Sequence, residues 1–540
     1  MTLPGRSGKT HTMNPIGPVW RLTVCDTDSL QTTVSLGPVK RAGQDLSASL
    51  TMAITMPMPD QYEHLPDILE GAVHTAGLEV QRQLFRALIE KADCELVLNL
   101  RDGKAGEGIQ RRGTRPFTFK TIFGSVTVQR CRISHRQDGS IEIPSARAWG
   151  TSHQLAITGN LRDAVCDQMG EHSAGASLQE IGARAGEPDL LGRSTVFDII
   201  HDQGGRLIEA QRERARAALD LASAAEREAL GSCLVADPDS VPEFEPDDIP
   251  PLDPEDPQWE QAPPQWVPTG FPGGDPNPGP QPPPVPPEQP RVVDAGVVIV
   301  SPDEVKTKAQ PATGRKEVWT YTAVLLAAEL RYALADATPE GLWLQVAALL
   351  WQWGVLNGRR HLLVLGDGAA WIRNWFESLG IDLKAMIVCW WHLQKRCYEN
   401  LSAAGGPKDR RRSLQEALLD RLWAGEVDAA ITLLREAMEW VRNPKSLSDL
   451  IGYLEKRRAY IPDYGARQRE GLWIASTRVE KFNDWAVSQR CKRQGMSWSA
   501  AGVLALAALE AARRNGELDS WRRDGLLPEY PLPEPLPRAG

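Results

Sequence analysis

The chain has 540 residues, with 61 Lys and Arg against 70 Asp and Glu, and a formal net charge of −9. At roughly 100 to 200 residues per domain, this length predicts about three or four domains and excludes a small scaffold that depends on disulfides. The longest apolar stretches fall well short of the roughly 20 uncharged residues that a membrane helix requires, so we expect no membrane span.

The negative charge is concentrated in residues 237–290, which hold 12 acidic side chains, 20 of the 41 prolines and no Lys or Arg. Without this segment the charge of the chain is +3. Such a composition cannot bury enough apolar surface to offset the entropy lost on ordering, so it predicts a disordered or polyproline II linker. The net acidity therefore does not exclude a nucleic-acid partner for the rest of the chain.

The cysteines indicate a reducing compartment. Eight of them are scattered through the chain without a C-x-x-C pair, and the N-terminus lacks the charged and apolar pattern of a signal peptide. We therefore expect a cytoplasmic protein.

Residues 1–60 predict irregular or weak β structure. An N-terminal region, 61–230, begins with helical spacing of apolar residues from His64 to Leu98. Residues 115–134 then alternate between apolar and polar side chains, which predicts a β-hairpin that turns near Phe123 and Gly124. Arg130 and Arg132 make the end of this hairpin basic.

Residues 177–204 predict a helix, a turn and a second helix. Ser177 is a candidate N-cap, Gly186 ends the first helix, and Ser194 caps the second. This spacing suits a helix-turn-helix that places Arg193, Ser194 and Thr195 at the start of a recognition helix. An ordinary helical hairpin inside a core is the alternative.

Residues 291–525 predict an α/β domain, and a Pro-rich tail follows at 526–540. Strands are predicted at Val292–Val300, Glu317–Leu325, His361–Leu365 and Met386–Cys389, with helices elsewhere. Strands that alternate with helices imply a mixed sheet covered by helices. Because 14 of the 18 Trp lie between Trp319 and Trp521, this half is expected to carry the large core.

Acidic residues follow two of these predicted strands. Asp367 stands between two glycines after His361–Leu365, and Asp303 and Glu304 are expected to end the first strand. Two carboxylates at one edge of a sheet form half of a divalent-metal site, since Mg²⁺ prefers carboxylate oxygens. The alternatives are a helix cap for Asp367 and a turn after Pro302 for Asp303.

A third acid lies on a predicted helix that continues into basic residues. Glu480 and Asp484 are one turn apart and are expected to share a face. Arg490, Lys492 and Arg493 follow and could contact phosphates. A solvated, charged helix face is the alternative.

Together these segments resemble the DDE transposases of bacterial insertion sequences, in particular those related to the Mutator-like group. The resemblance covers about residues 115–525. It is carried by LVLGDGAAWIRNW around Asp367, IVCWWHL with Cys389 and His392 as a C/D-x-x-H motif, RVEKFNDWAVSQRCKRQGMSWS around Glu480, and the basic hairpin FGSVTVQRCR.

The resemblance implies an RNase H-like catalytic domain with a helical insertion at 392–474. It implies that Asp303, Asp367 and Glu480 are the catalytic acids and hold Mg²⁺ or Mn²⁺, while Cys389 and His392 shape the site. It also implies double-stranded DNA as partner, both as element ends and as target, and a homo-oligomer on DNA in a bacterial cytoplasm. DNA contacts are expected from Arg130, Arg132, Arg193, Ser194, Thr195, Arg490, Lys492 and Arg493.

Two features depart from the family pattern. The first acid could instead be Asp237 or Asp239, in CLVADPDSV, although that choice would put a long disordered insertion between neighbouring strands. Ala475-Ser476-Thr477 stands where relatives commonly have a Gly-Ser-Gly-like run. An inactive or domesticated DNA-binding descendant, or a nuclease of the same fold that does not join strands, therefore remains an alternative.

Overall fold

A computed structural model describes residues 31–42, 45–47, 49–55, 65–102, 108–136, 138–150, 155–231, 296–492 and 496–535. The predicted linker at 237–290, with Asp237 and Asp239, lies outside the described residues, as does Arg493. The contacts divide the chain into two compact units, residues 1–202 and 203–540. The division falls inside a helix, not in the Pro-rich segment.

The first unit contains strands and helices. Its strands are Gln31–Leu36 (β1), Lys40–Ala42 (β2), Asp45–Ser47 (β3), Leu50–Thr55 (β4), Ile109–Thr121 (β5), Gly124–His135 (β6), Ile141–Glu142 (β7) and Leu155–Ile157 (β8). Its helices are Leu65–Asp102 (α1), Pro144–Ala148 (α2), Gly159–Glu171 (α3), Ala174–Ala185 (α4) and the start of Arg193–Asp220 (α5). The predicted hairpin is confirmed as β5 and β6, which pair from Thr121–Gly124 outward.

The helix, turn and second helix predicted for residues 177–204 are present, with the start of the first helix shifted. α4 begins four residues earlier than predicted, because the Ser173 hydroxyl, not Ser177, accepts the capping hydrogen bond from the Ala176 N–H. Gly186 ends α4 in the left-handed conformation, as expected. The turn is held to the hairpin because the Glu187 carboxylate accepts hydrogen bonds from the backbone and side chain of Ser125.

The second unit is built on a five-stranded mixed sheet. Its strands are Val297–Lys308 (β9), Glu317–Ala327 (β10), Leu330–Asp336 (β11), His361–Gly366 (β12) and Lys384–Val388 (β13). The sheet order is β11-β10-β9-β12-β13, with antiparallel pairs from β11 to β9 and parallel pairs from β9 to β13. A mixed α/β architecture is confirmed, but β11 was not predicted, because its residues were taken as helical.

Helices account for most of the rest of this unit. They are Ala224–Ala229 (α6), Pro339–Gln352 (α7), Ala370–Ser378 (α8), Trp390–Ala404 (α9), Lys408–Trp423 (α10), Val427–Ala437 (α11), Pro444–Arg457 (α12), Tyr464–Arg469 (α13), Thr477–Asn483 (α14), Gln489–Cys491 (α15), Ala500–Arg514 (α16) and Leu518–Asp524 (α17). A π-helical turn, Asp484–Ser488, joins α14 to α15. The segment predicted to be a helical insertion, 392–474, contains α10 to α13 and most of α9.

The core of the second unit draws on distant parts of the sequence. Ala215, Leu219 and Leu230 are buried in the same cluster as the sheet residues Val298 and Leu325. The sequence analysis assigned residues 203–230 to the N-terminal region, whereas their apolar side chains pack with the second unit. Trp343 and Trp375 stack with ring centroids 3.9 Å apart in this cluster, as the concentration of Trp in this half predicted.

The chain after α17 packs on the same core. Tyr530 is buried, and its ring lies 5.7 Å from the ring of Tyr332. The Trp353 indole N–H donates to the Pro531 carbonyl at 2.9 Å, and the Arg360 guanidinium donates to the Glu534 carbonyl at 2.6 Å. The part of the Pro-rich tail that is described is therefore a fixed part of the second unit.

None of the helices in the described ranges is both long enough and apolar enough to cross a bilayer.

An ion pair between α5 and the end of β11 gives a stability prediction. The Asp336 carboxylate is fully buried and accepts hydrogen bonds from the Arg212 guanidinium, the Gln345 amide and the Ala337 N–H. Arg212→Met leaves a buried charge without its main partner, so we expect the free energy of unfolding to fall by about 3 kcal/mol. Urea unfolding of the full chain measures this loss.

Arg216→Met is the matched control, because Arg216 lies on the same helix and pairs with Glu209 while both side chains are more than half exposed. We expect this control to lower the free energy of unfolding by about 1 kcal/mol or less. Equal losses of unfolding free energy in the two variants would contradict the role of Arg212 as the main partner of the buried Asp336 carboxylate.

Candidate active site

Strand register brings Asp303 and Asp367 to the same level of the sheet. β9 and β12 pair in parallel from Val297–His361 to Val300–Val364. If this pairing is continued residue by residue along both strands, Asp303 comes to lie opposite Asp367, which follows the end of β12. Pro302 has no N–H to donate, and it lies just beyond the last paired residues, where the two strands separate. The space between β9 and the loop after β12 is therefore flanked by two carboxylates.

Asp303 does not end its strand, as the sequence analysis expected, and it does not lie in a turn. β9 continues to Lys308 and stays paired with β10 throughout, with Asp303 opposite Thr322. The acidic pair was taken as a strand end because Asp and Glu are depleted in strands. The two side chains have different partners: the Asp303 carboxylate accepts from Asn483 on α14, and the Glu304 carboxylate accepts from Trp371 on α8.

Asp367 lies in the short loop between β12 and α8. Its Oδ1 accepts a hydrogen bond from the Ala369 N–H at 2.8 Å, but the N-cap of α8 is Ala369 and no side chain caps this helix, so the alternative of a helix cap at Asp367 is wrong. Its carbonyl accepts from the Tyr453 hydroxyl at 3.0 Å. Gly368 follows with φ +78°, and a Cβ there would lie 2.8 Å from the Arg457 guanidinium. Glycine is therefore required beside this acid for both conformation and space.

Asn483 links the strand acid to the third-acid helix and was missed by the sequence analysis. Its side-chain Nδ2 donates to Asp303 Oδ2 at 2.6 Å, and its Oδ1 accepts from the Thr322 hydroxyl at 2.6 Å. Asn483 lies three residues after Glu480 on α14, a spacing that puts both side chains on one helical face. Asp484, which was expected to share that face, is exposed at the start of the π-helical turn.

Glu480 faces the same site from α14. Its Oε1 accepts a hydrogen bond from the Ser476 hydroxyl at 3.1 Å and lies 3.8 Å from His392 Nδ1. Ser476 is the middle residue of Ala475-Ser476-Thr477, where the expected family pattern is Gly-Ser-Gly-like, so it agrees with that pattern while its two neighbours depart from it. Its hydroxyl orients the acid.

Cys389 and His392 lie at the start of α9, beside Glu480. The Cys389 thiol is buried, and its Sγ accepts a hydrogen bond from the Ser476 N–H at 3.3 Å. Burial opposes the protonation of His392, but the neighbouring Cys389 and the charges of Glu480 and Asp367 outweigh it and raise the His392 pKa to about 9. The predicted role of Cys389 and His392 in shaping the site stays a prediction. The contacts with Ser476 and Glu480 are consistent with it.

Like charges converge at this site. Burial, followed by the charge of Asp367, raises the pKa of Asp303 to about 7. The same two causes raise the pKa of Glu304 to about 8, although its Oε2 accepts a hydrogen bond from the Trp371 indole N–H at 2.5 Å. Such a cluster favours bound protons or a bound cation over free carboxylates.

The donor chemistry of the three acids suits a hard cation, because carboxylate oxygens are the ligands that Mg²⁺ and Mn²⁺ prefer. Among the described residues, however, the group whose ligand atoms all lie within 4.8 Å of one another is Cys389, His392 and Glu480, without Asp303 or Asp367. The thiol of Cys389 is a soft ligand that does not suit Mg²⁺, so only Glu480 belongs to both groups.

The predicted DNA-contacting residues divide by exposure. Arg193 and Ser194 are exposed at the start of α5, Thr195 is half-buried, and Lys492 is exposed after α15. Arg132 is half-buried on β6.

Two of these arginines pack inside the protein. Arg130 is 1 % exposed, with its guanidinium 4.6 Å from the Phe117 ring centroid and bonded to the Ser145 hydroxyl. Arg490 is 5 % exposed and lies over the Trp498 ring at 4.9 Å. Such buried side chains do not fit the predicted contacts with DNA phosphates. The prediction was wrong because a charge pattern in the sequence does not distinguish a buried arginine from an exposed one.

Comparison with known proteins finds one family. Residues 315–525 match the model of an uncharacterised protein family, UPF0236. This range includes Asp367, Cys389, His392 and Glu480 but begins after Asp303. No curated protein matches the chain.

The charge convergence predicts how stability depends on pH. The folded-state pKa of Asp303, about 7, lies above the ordinary value near 4, so the folded chain holds this proton more tightly than the unfolded chain. Stability from this group is therefore full below about pH 4 and is lost as the pH rises through 7. In a chelator, Asp303→Asn should lose less stability than the wild type between pH 5 and pH 8, measured as the urea midpoint.

Glu436→Gln, on the exposed face of α11, is the control and should keep the wild-type dependence on pH. An Asp303→Asn variant that loses as much stability as the wild type over this range would contradict the raised pKa of Asp303.

Asn483→Ala removes the link between Asp303 and Thr322. It takes the amide donor away from the Asp303 carboxylate, while the Thr322 hydroxyl keeps the Asp303 carbonyl as an acceptor at 3.2 Å, so we expect a loss of about 1–3 kcal/mol in the free energy of unfolding. Asn374→Ala, at an exposed helical position on α8, should change it by no more than about 0.5 kcal/mol. Similar effects from both substitutions would argue against the link.

Proposed function

We propose that this protein is a DDE transposase with an RNase H-like catalytic domain, which cuts DNA and joins the cut ends to a target in the presence of Mg²⁺. The observation that carries the proposal is the convergence of Asp303, Asp367 and Glu480, which come from a strand, a loop and a helix that are far apart in sequence. The electrostatic influence of Asp367 and Glu480 on Asp303 supports a single site.

The sheet supports the fold part of the proposal. An RNase H-like domain has three antiparallel strands followed by two parallel strands, with the first strand at the centre. The order β11-β10-β9-β12-β13 agrees with this arrangement, with β9 central. Asp303 lies on that central strand, Asp367 follows the neighbouring β12, and the helices of the 392–474 segment precede the helix of Glu480.

Asp303, Asp367 and Glu480 would hold the metal ions. When bound, two divalent cations supply activation of a water or a DNA 3′-hydroxyl and stabilisation of the leaving oxygen. The chain itself orients the ligands: Asn483 holds Asp303, Ser476 holds Glu480, and the Ala369 N–H holds Asp367. Such supporting contacts commonly affect metal sites by about 10–100-fold when removed.

Element-end recognition would fall to the first unit. The exposed Arg193 and Ser194 at the start of α5 suit contact with bases or phosphates, as a recognition helix makes. Arg132 on the hairpin is a weaker candidate, and the buried Arg130 holds the hairpin together through Phe117 and Ser145. A homo-oligomer on DNA remains part of the proposal.

Cleavage and joining assays test the proposal. The substrate is linear DNA that contains the genomic sequence flanking the coding region, incubated with Mg²⁺ and a plasmid target. We expect cuts at a defined position and joined products. Asp367→Asn and Glu480→Gln should lower both activities by more than about 100-fold, because removing a metal ligand costs more than removing a supporting contact.

Glu436→Gln, far from the acids in sequence and exposed, should retain activity. Nicked products that are never joined would favour a nuclease of this fold. Binding of the flanking DNA without Mg²⁺-dependent cleavage by the wild type would favour an inactive, DNA-binding descendant and remove the enzymatic proposal.

A further inference from the structure

We propose that an aromatic and basic rim beside the acidic site binds an unpaired stretch of the DNA strand that is cut, an inference that rests on the function proposed above. The aromatic–basic rim consists of Trp391, Lys395 and Tyr398 on α9, Lys306 on β9, Trp319 on β10 and Lys492 after α15.

Three rim residues form one exposed stripe of α9. Trp391, Lys395 and Tyr398 are spaced by four and three residues, which places them on the same helical face. Trp391 is 47 % exposed and Tyr398 is 40 % exposed, although large aromatic side chains are usually well covered. The Lys395 ammonium lies 5.3 Å from the Trp391 ring centroid. The stripe therefore offers flat rings separated by a cation.

The stripe begins at the acidic site. The Trp391 ring lies 5.0 Å from the His392 ring at an interplanar angle of 87°. His392 Nδ1 in turn lies 3.8 Å from Glu480 Oε1. Only one imidazole therefore separates the first exposed ring from a proposed catalytic acid, so a base stacked on Trp391 would be close to the reacting phosphate.

Lysines extend the rim along the other side of the site. Lys492 interacts electrostatically with Asp303 and with the ammonium groups of Lys306 and Lys395. Lys306 pairs across the strands with Trp319 and lies 5.8 Å from its ring centroid, and Trp319 is 41 % exposed. A second pair of ring and cation therefore lies on the sheet side of the acids.

The rim lysines remain available to a phosphate. Lys306 pairs with Glu317 at 3.0 Å and Lys395 pairs with Glu399 at 3.9 Å. All four side chains are more than two-fifths exposed, and such surface pairs contribute little free energy. A DNA phosphate can replace these carboxylates at low cost.

An unpaired strand fits this surface better than a duplex or a protein. Bases in a duplex cover one another's faces, whereas unpaired bases expose flat surfaces that stack on Trp and Tyr while cations follow the backbone. Protein-binding patches are depleted of Lys, whereas half of the rim residues are Lys.

Binding measurements on the full-length chain, in a chelator so that no cleavage occurs, test the inference. The probes are a short fluorescein-labelled oligothymidylate and a labelled duplex of matched length, followed by fluorescence anisotropy. Trp391→Leu and Tyr398→Ala should each weaken oligothymidylate binding by about 10-fold, because each loses a stacked base. Trp391→Phe keeps a ring and should stay within about threefold of the wild type.

Charge and structural controls complete the design. Lys395→Gln should lower the salt dependence of oligothymidylate binding by about 0.7 in the logarithmic slope. Leu526→Ala, at a position 70 % exposed outside the rim, should leave binding unchanged. Circular dichroism spectra that match the wild type establish that each rim variant is folded.

Four outcomes would overturn the inference: no oligothymidylate binding by the wild type, undiminished binding by both aromatic variants, equal losses on duplex and single strand, or conversion of an oligomer to monomers by Trp391→Leu. The wild type could fail to cut DNA while Trp391→Leu still weakens binding of oligothymidylate more than binding of the duplex. That result would support the rim as a binding site for single strands and would contradict only the transposase proposal.

Discussion

The registered pairing of β9 with β12 is the constraint on which the site depends. Backbone hydrogen bonds between parallel strands hold the two acids at one level of the sheet, although the carboxylates repel each other and burial disfavours their charges. Burial of the large apolar core of the sheet stabilises the fold enough to offset the cost of holding these carboxylates close together. Asn483, Ser476 and the Ala369 N–H then orient the individual carboxylates.

Sequence patterns predicted much of this architecture because each rests on a local rule. The hairpin of β5 and β6, the mixed sheet and the acid after β12 follow from alternation, β-branched runs and a Gly-Asp-Gly loop. The course of β9 through Asp303 was not predictable, because the pairing with β10 overrides the low strand propensity of acidic residues. Asn483 was missed for a related reason: its partners lie far away in sequence, and nothing local marks it.

Charge counts describe this protein poorly unless burial is known. The basic hairpin and the basic end of the third-acid helix each contain an arginine that packs against aromatic rings inside the fold, Arg130 and Arg490. These guanidiniums stabilise their own elements. Three exposed lysines of the aromatic–basic rim lie near the acids, interleaved with aromatic side chains. Net charge, even after the acidic segment is removed, therefore says less about DNA binding than the position of a few side chains.

The packing of Tyr530 in the core of the sheet delays the completion of that core until the end of the chain has been synthesised. All five strands of the central sheet are synthesised before α9, yet their core includes Leu219 and Leu230 from before the Pro-rich segment and Tyr530 from after the last helix. Domains generally fold as units during synthesis, with N-terminal ones first. The first unit is synthesised before the second, whereas the core of the sheet is complete only once Tyr530 has been made, so part of its apolar surface stays uncovered until the end of the chain emerges.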